Sequence, residues 1–279
     1  MTELLFSLER EVSLGSGYGL VPDFVLSSAI WTLIQVVLFQ WPDLSSFKMK
    51  RLPYLDMRNR MVSFIHGILC MILCAHYMVF GEYACGTKTS QGEYWILAMS
   101  SGYFTYDFLS MAWFGLLDRD MTIHHLLCII GMVFTLFMGQ GACYIVMGLF
   151  VAEVSNPPMH MRIMLKHIGL RYSRAYEVAE LCYFTFFFIG RMIIGQPAVY
   201  ATLVCDQMNW LGKLVCLGVL AQSFQFLYRM YFIVVRRFAE IKERNEKKLK
   251  FYWFTPIPQK DLDSCEFFLA SKRHTEKLP

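Results

Sequence analysis

Charge is scarce in this sequence. Asp, Glu, Lys and Arg make up 17% of the 279 residues, against about 25% in an ordinary soluble domain. Hydrophobic residues make up 56%, and the mean hydropathy is positive. That balance excludes a soluble globular domain. Several windows of 18 or more residues carry few or no charges, the mark of membrane-crossing helices. A Cys-x-x-Cys pair is also missing, so no zinc or other metal site is expected. No internal or inverted repeat supports a channel or transporter. The opening stretch MTELLFSLEREVSLGSG has three acids and one Arg, the reverse of a basic signal-peptide n-region. The first apolar run, 24–39, therefore reads as a retained signal-anchor helix. The basic excess is four residues and lies beside apolar segments, which excludes nucleic-acid binding.

What is present is a series of apolar runs. Seven spans are expected, at 24–41, 61–80, 94–117, 121–138, 142–155, 176–195 and 211–235. The fifth is short. The connection before the second span holds Lys48, Lys50, Arg51, Arg58 and Arg60, and the one before the fourth holds Arg119. The stretch NPPMHMRIMLKHIGLRYSR holds Arg162, Lys166, Arg171 and Arg174 without an acid, and a further basic run follows the last span. The alternate connections have Arg10, Lys88 and little else. By the positive-inside rule the fold class is an all-α polytopic membrane bundle, N-terminus outside or lumenal and C-terminus cytosolic.

Four regions follow: an outer N-terminal segment, 1–23; a first helix with its basic loop, 24–57; the main membrane domain, 58–236; and a cytosolic, partly disordered tail, 237–279. Of nine cysteines, only Cys85, Cys143 and Cys205 reach the oxidising side, leaving room for one disulfide. The tail beyond Phe254 is polar and Pro-containing and is expected to lack structure. Its stretch CEFFLA, around Phe267, looks like the two-phenylalanine motif that docks ER-contact adaptor proteins.

The stretch MTIHHLLCIIGMVFTLFM, 121–138, places two adjacent histidines in a run of membrane-crossing length. An ionisable residue within a span is a functional hypothesis by default. Tyr103, Tyr106, Asp107 and Ser110 recur at i, i+3, i+4 and i+7 and share one helix face. His66, Asp107, His124, His125, Glu153, Glu180 and Arg229 are all expected in the cytosolic half, with Arg191 nearer the outer leaflet. Glu180 and Arg229 read as ion-pair residues that hold the bundle. Glu153 is expected at a cytosolic vestibule, because Pro157 and Pro158 should stop the fifth span by Asn156. Adjacent helical residues point about 100° apart, so one histidine looks into the bundle while a neighbouring helix holds the other. His124 heads a small, polar stripe with Cys128, Gly131, Thr135 and Gly139, and is the better inward candidate.

The ordered motifs RMVSFIHG, SGYFTYDF, TIHHLLCIIG, AEVSNPPMHMR and FFFIGRMIIG resemble the TLC domain of TRAM, Lag and CLN proteins. Similarity to the small TLC domain-containing proteins, type 5 in particular, runs from about Arg58 to Arg236. The resemblance implies a multi-pass bundle of the endoplasmic reticulum or plasma membrane. One branch, the ceramide synthases, transfers an acyl group from acyl-coenzyme A to a sphingoid base, using a His pair followed by an Asp-rich segment. His124 and His125 match the pair, and Glu153 matches one carboxylate. Asn156 stands where a second carboxylate belongs, and Ala152 replaces the usual His before the segment. Those departures speak against ceramide synthesis itself.

The leading reading is a lipid-homeostasis protein that binds an acyl chain or phospholipid in an intramembrane cavity and regulates membrane lipid composition. The alternative is an acyl-CoA-dependent acyltransferase, with a histidine as base or nucleophile and Glu153 orienting it. Asp107 would assist, and Arg162, Lys166, Arg171 and Arg174 would receive the phosphates of acyl-coenzyme A. A seven-helix receptor is the remote reading, invited by Arg119 after an Asp at the inner end of the third span. It is opposed by an Asn-Pro pair that follows the fifth span and by the lack of a mid-helix Pro in the sixth.

Overall fold

A computed structural model describes residues 19–40, 47, 49–81 and 83–269. The expected segments 1–18 and 270–279 lie outside the described residues. The helices in chain order are α1 (Leu20–Gln40), α2 (Arg51–Phe80), α3 (Gln91–Phe114), α4 (Arg119–Met138), α5 (Ala142–Glu153) and α6 (Asn156–His167). They continue with α7 (Arg174–Phe187), a π-helical segment (Phe188–Ile194), α8 (Gly195–Val204), α9 (Trp210–Glu246) and the short α10 (Gln259–Leu262). The chain is an all-helical membrane bundle. Five units are long and apolar enough to cross a bilayer: α1, α2, α4, α9 and the run Arg174–Val204.

The ends are set by local chemistry. Ser90 caps α3 through a reciprocal box with Glu93, and Asp118 and Ser173 cap α4 and α7. Gly115 and Gly139 adopt left-handed backbone (φ 70° and 66°) just past α3 and α4, where a side chain would be strained. One end of the bundle carries the basic residues. The other is tied by a disulfide between Cys85, ahead of α3, and Cys205, at the end of α8.

Helix α1 packs on α3, α3 on α4 and α4 on α9, with α2 against α1, α3, α5 and α6. Contact between α1 and α3 is close. Ser27 Oγ donates to the Met99 carbonyl at 3.0 Å and Trp31 Nε1 to the same oxygen at 3.2 Å. A Cβ on Gly102 would stand 2.2 Å from Ser27 Oγ and 2.9 Å from the Ser28 backbone nitrogen. Small residues let two backbones approach where lipid offers no hydrophobic drive. Gly102→Val is therefore expected to separate α1 from α3 and destabilise the protein by about 1–3 kcal/mol. A thermal unfolding curve of the detergent-solubilised variant matching the parent would refute this.

Several expected boundaries move. Helix α2 begins ten residues before the expected span, because Arg58 and Asn59 find hydrogen-bond partners inside the bundle. Arg58 Nη1 donates to the Leu38 carbonyl, and Asn59 Nδ2 donates to Asp107 Oδ1 at 2.6 Å. His66 therefore lies mid-helix and not near its inner end. Helix α5 ends at Glu153 as the prolines require, but the chain does not leave the bundle there. After the turn at Val154 and Ser155, α6 starts with proline in its first turn and continues antiparallel along α2. His66 lies beside Glu153, Arg60 beside His160 and Asp56 beside His167. Helices α5 and α6 thus follow one another along α2 with a break between them, and Glu153 sits at that break.

The sixth span also differs from expectation. It continues to Val204, and Pro197 lies inside it. Proline cannot donate to the carbonyl four residues back, and the turns just before it are π-helical. Arg191 thus stands near the middle of a 31-residue run. Glu180 and Arg229 each form ion pairs, though not together. Glu180 accepts from Arg162 and Arg237, while Arg229 pairs with Asp120.

The expectation of an unstructured tail fails over 255–269. Ile257, Leu262 and Cys265 are buried, and the Ile257 amide donates to the Tyr172 carbonyl at 3.1 Å. Phe267 and Phe268 pack against the Tyr172 ring, and Glu243 accepts from the Glu266 and Phe267 amides. Adaptor docking through Phe267 would have to break those contacts.

Candidate functional site

The two histidines on α4 diverge as the 100° offset requires. His125 turns toward α3, where its Nε2 lies 2.8 Å from Asp107 Oδ2 and its Nδ1 lies 2.8 Å from the Met121 carbonyl. Both ring nitrogens face oxygen. That arrangement needs a ring with two N–H groups beside a carboxylate, or a neutral Asp107 that donates. The other Asp107 oxygen accepts from Asn59, whose own carbonyl accepts from Tyr106 at 3.2 Å. This is a closed network buried among α2, α3 and α4.

His124 faces the opposite way. It lines a cavity bounded by α3, α4, α5, α8, α9 and the π-helical segment. Pockets for small organic ligands are mostly apolar. The wall is made largely of residues such as Leu127, Met132, Leu149, Val199 and Val215, with Phe104 beside the His124 ring. Cys128 and Gly131 of the small, polar stripe also line it, whereas Thr135 does not.

The tautomer of His124 follows from its partner. Gln222 Nε2 donates to the Asp120 carbonyl at 2.8 Å, which turns Gln222 Oε1 toward His124 Nδ1 at 3.2 Å. An amide oxygen only accepts, so His124 donates from Nδ1 and keeps a lone pair on Nε2. Nε2 meets the Cys128 thiol at 3.9 Å, and a ring held at one nitrogen with a lone pair on the other is the arrangement a base or nucleophile needs.

The remaining expected site residues fall in three groups. Asp107 meets His125 and lies behind the cavity wall. Glu153 does not orient either histidine of the pair. Its Oε2 is 3.8 Å from Nδ1 of His66, which stacks on Tyr103 at 3.7 Å between ring centroids. Arg162 and Arg171 are engaged by Glu180 and Glu240, while Lys166 and Arg174 are exposed. Asn59, Gln222 and Ser223 complete the site and are absent from the expected set. For Gln222 and Ser223 the signal is polarity inside a long apolar run, without a charge to draw attention, whereas Asn59 lies between two arginines of the expected basic loop.

A family model described as the TLC domain (TRAM_LAG1_CLN8) matches residues 56–236. No solved structure matches the chain.

Proposed function

This chain belongs to the TLC-domain family, and from that membership we propose that it accommodates an acyl chain or phospholipid in the cavity beside His124 and regulates membrane lipid composition. The observation that carries this reading is the cavity itself, apolar along most of its wall and set within the membrane part of the bundle. The proposed orientation puts the disulfide end outside or in the lumen, where Cys85 and Cys205 can stay oxidised. The basic end then faces the cytosol.

A second reading, acyl transfer, is favoured by the Nε2 lone pair of His124 in the cavity wall, beside the Cys128 thiol. There His124 is the base or nucleophile. Asp107 holds His125 from behind as a positioning residue, and exposed Lys166 and Arg174 are the cations available to acyl-CoA phosphates.

Gly148 provides the test. It lines the cavity, and a Cβ there would meet nothing within 4 Å. Gly148→Leu should fill the cavity without a clash and leave helix α5 as stable or more so. Native mass spectrometry of the purified parent should show a retained acyl lipid, reduced at least about tenfold in Gly148→Leu. Equal retention in both would place the lipid elsewhere. His124→Gln, assayed with acyl-coenzyme A, separates the two readings: turnover in the parent lost in the variant establishes transfer, and lipid retention without turnover establishes binding alone.

A further inference from the structure

We propose that Arg191 is the anchor for an anionic head group, and that the cavity's ligand is a single-chain amphiphile ending in a carboxylate. The inference rests on the lipid-cavity reading and names the class of ligand.

Arg191 lines the cavity and is 7% exposed. Its partners do not neutralise it. Nη1 donates to Ser223 Oγ at 3.2 Å, the guanidinium lies 5.3 Å from the Phe187 ring centroid, and Nε is buried without a hydrogen-bond partner. Six other arginines, including Arg60, Arg162 and Arg229, have a carboxylate within 4.0 Å. Among the described residues Arg191 has none. Glu153 acts on it electrostatically from beyond that distance. A guanidinium cannot shed its proton to escape burial, and a cation at mid-helix in a bilayer is costly even on insertion scales. An anion supplied by a ligand would offset that cost.

The shape of the cavity narrows the class. One guanidinium matches one negative charge and binds a carboxylate in bidentate fashion. Away from Arg191 the wall runs along α8 through Ala198 and Val199 to Thr202, a length of roughly 16 Å at helical rise. Thr202 is turned onto its own helix, donating to the Ala198 carbonyl at 2.8 Å. Among the described residues no second cationic side chain lines the cavity, as a phosphate monoester dianion would require. The head group sits at Arg191, and the chain extends toward the disulfide end.

The experiment compares a fluorescent long-chain fatty acid with its methyl ester and with a phosphate-headed single-chain analogue. Each is bound to the full-length protein in detergent and to Arg191→Gln and Arg191→Lys. The parent should prefer acid over ester by at least about tenfold, the value of a charge-assisted pair. Arg191→Gln should abolish the preference while leaving ester affinity within about twofold, and Arg191→Lys should restore part of it. Equal binding of acid and ester by the parent overturns the anchor while the cavity reading stands. Tighter binding of the phosphate analogue overturns the carboxylate. Failure of all three probes to bind overturns both this inference and the lipid-cavity reading. Should Arg191→Gln not fold, Ser223→Ala, which frees Nη1 and retains the charge, must keep the preference for acid.

Discussion

Asp107→Ala is expected to cost about 3–5 kcal/mol of stability, the usual loss when one member of a buried polar pair is removed. The carboxyl group is 6% exposed and bonds to two partners on different helices, Asn59 on α2 and His125 on α4. Alanine leaves both without a partner where neither water nor lipid replaces it. Asp107→Asn should cost less, because one amide oxygen still accepts. Asp107→Leu combined with His125→Leu should recover part of the loss, since the orphaned ring is then gone. Thermal unfolding in detergent would measure all three. A drop below about 1 kcal/mol for Asp107→Ala would mean that the network does not hold the three helices together.

The second large effect concerns the disulfide. Cys85 and Cys205 are 120 residues apart, and a cross-link over about 100 residues restricts the free chain by roughly 4.7 kcal/mol in the entropic account. Helices that stay inserted in the bilayer restrict the chain already, so Cys85→Ser should cost less than that and still lower the unfolding temperature measurably. The same bond reports orientation. A membrane-impermeant reductant should open it in sealed vesicles only from the side opposite the basic end, seen as two additional thiols on a gel-shift assay. Reduction from the basic side alone would reverse the proposed arrangement.

Much of this molecule was legible in its residues, and the failures have a common cause. Apolar length is a local property, so five of the seven expected spans fall on units long and apolar enough to cross a bilayer, while the expected third and fifth do not. The divergence of His124 and His125 was legible because helical pitch fixes it. What escaped was settled between helices. Arg58 and Asn59 read as loop because nothing local shows that Leu38 and Asp107 will satisfy them. Helix α6 read as a basic loop for the same reason, since Arg60, Asp56 and Glu180 answer its polar residues from other helices. Gln222 is polar but uncharged, and its role depends on which turn of α9 meets α4. The tail read as disordered because its buried residues, Ile257, Leu262 and Cys265, are few and spaced by polar ones.

The π-helical segment bears on how relatives should be compared with this chain. Such a segment holds one residue more than an α-helix of the same span, and single-residue insertion into a helix is its natural origin. A relative whose helix is continuous α would be one residue shorter between 188 and 194. Aligned without a gap there, its residues on one side of the insertion would be misassigned by about 100° of helical rotation. Its counterpart of Arg191 would then seem to be missing, or to have been replaced by Gly190 or Met192. An arginine displaced by one position in a sequence comparison is thus no sign that the cation has been lost from the cavity wall. The gap has to be placed by which residues share a face with Gly195, Ala198 and Thr202.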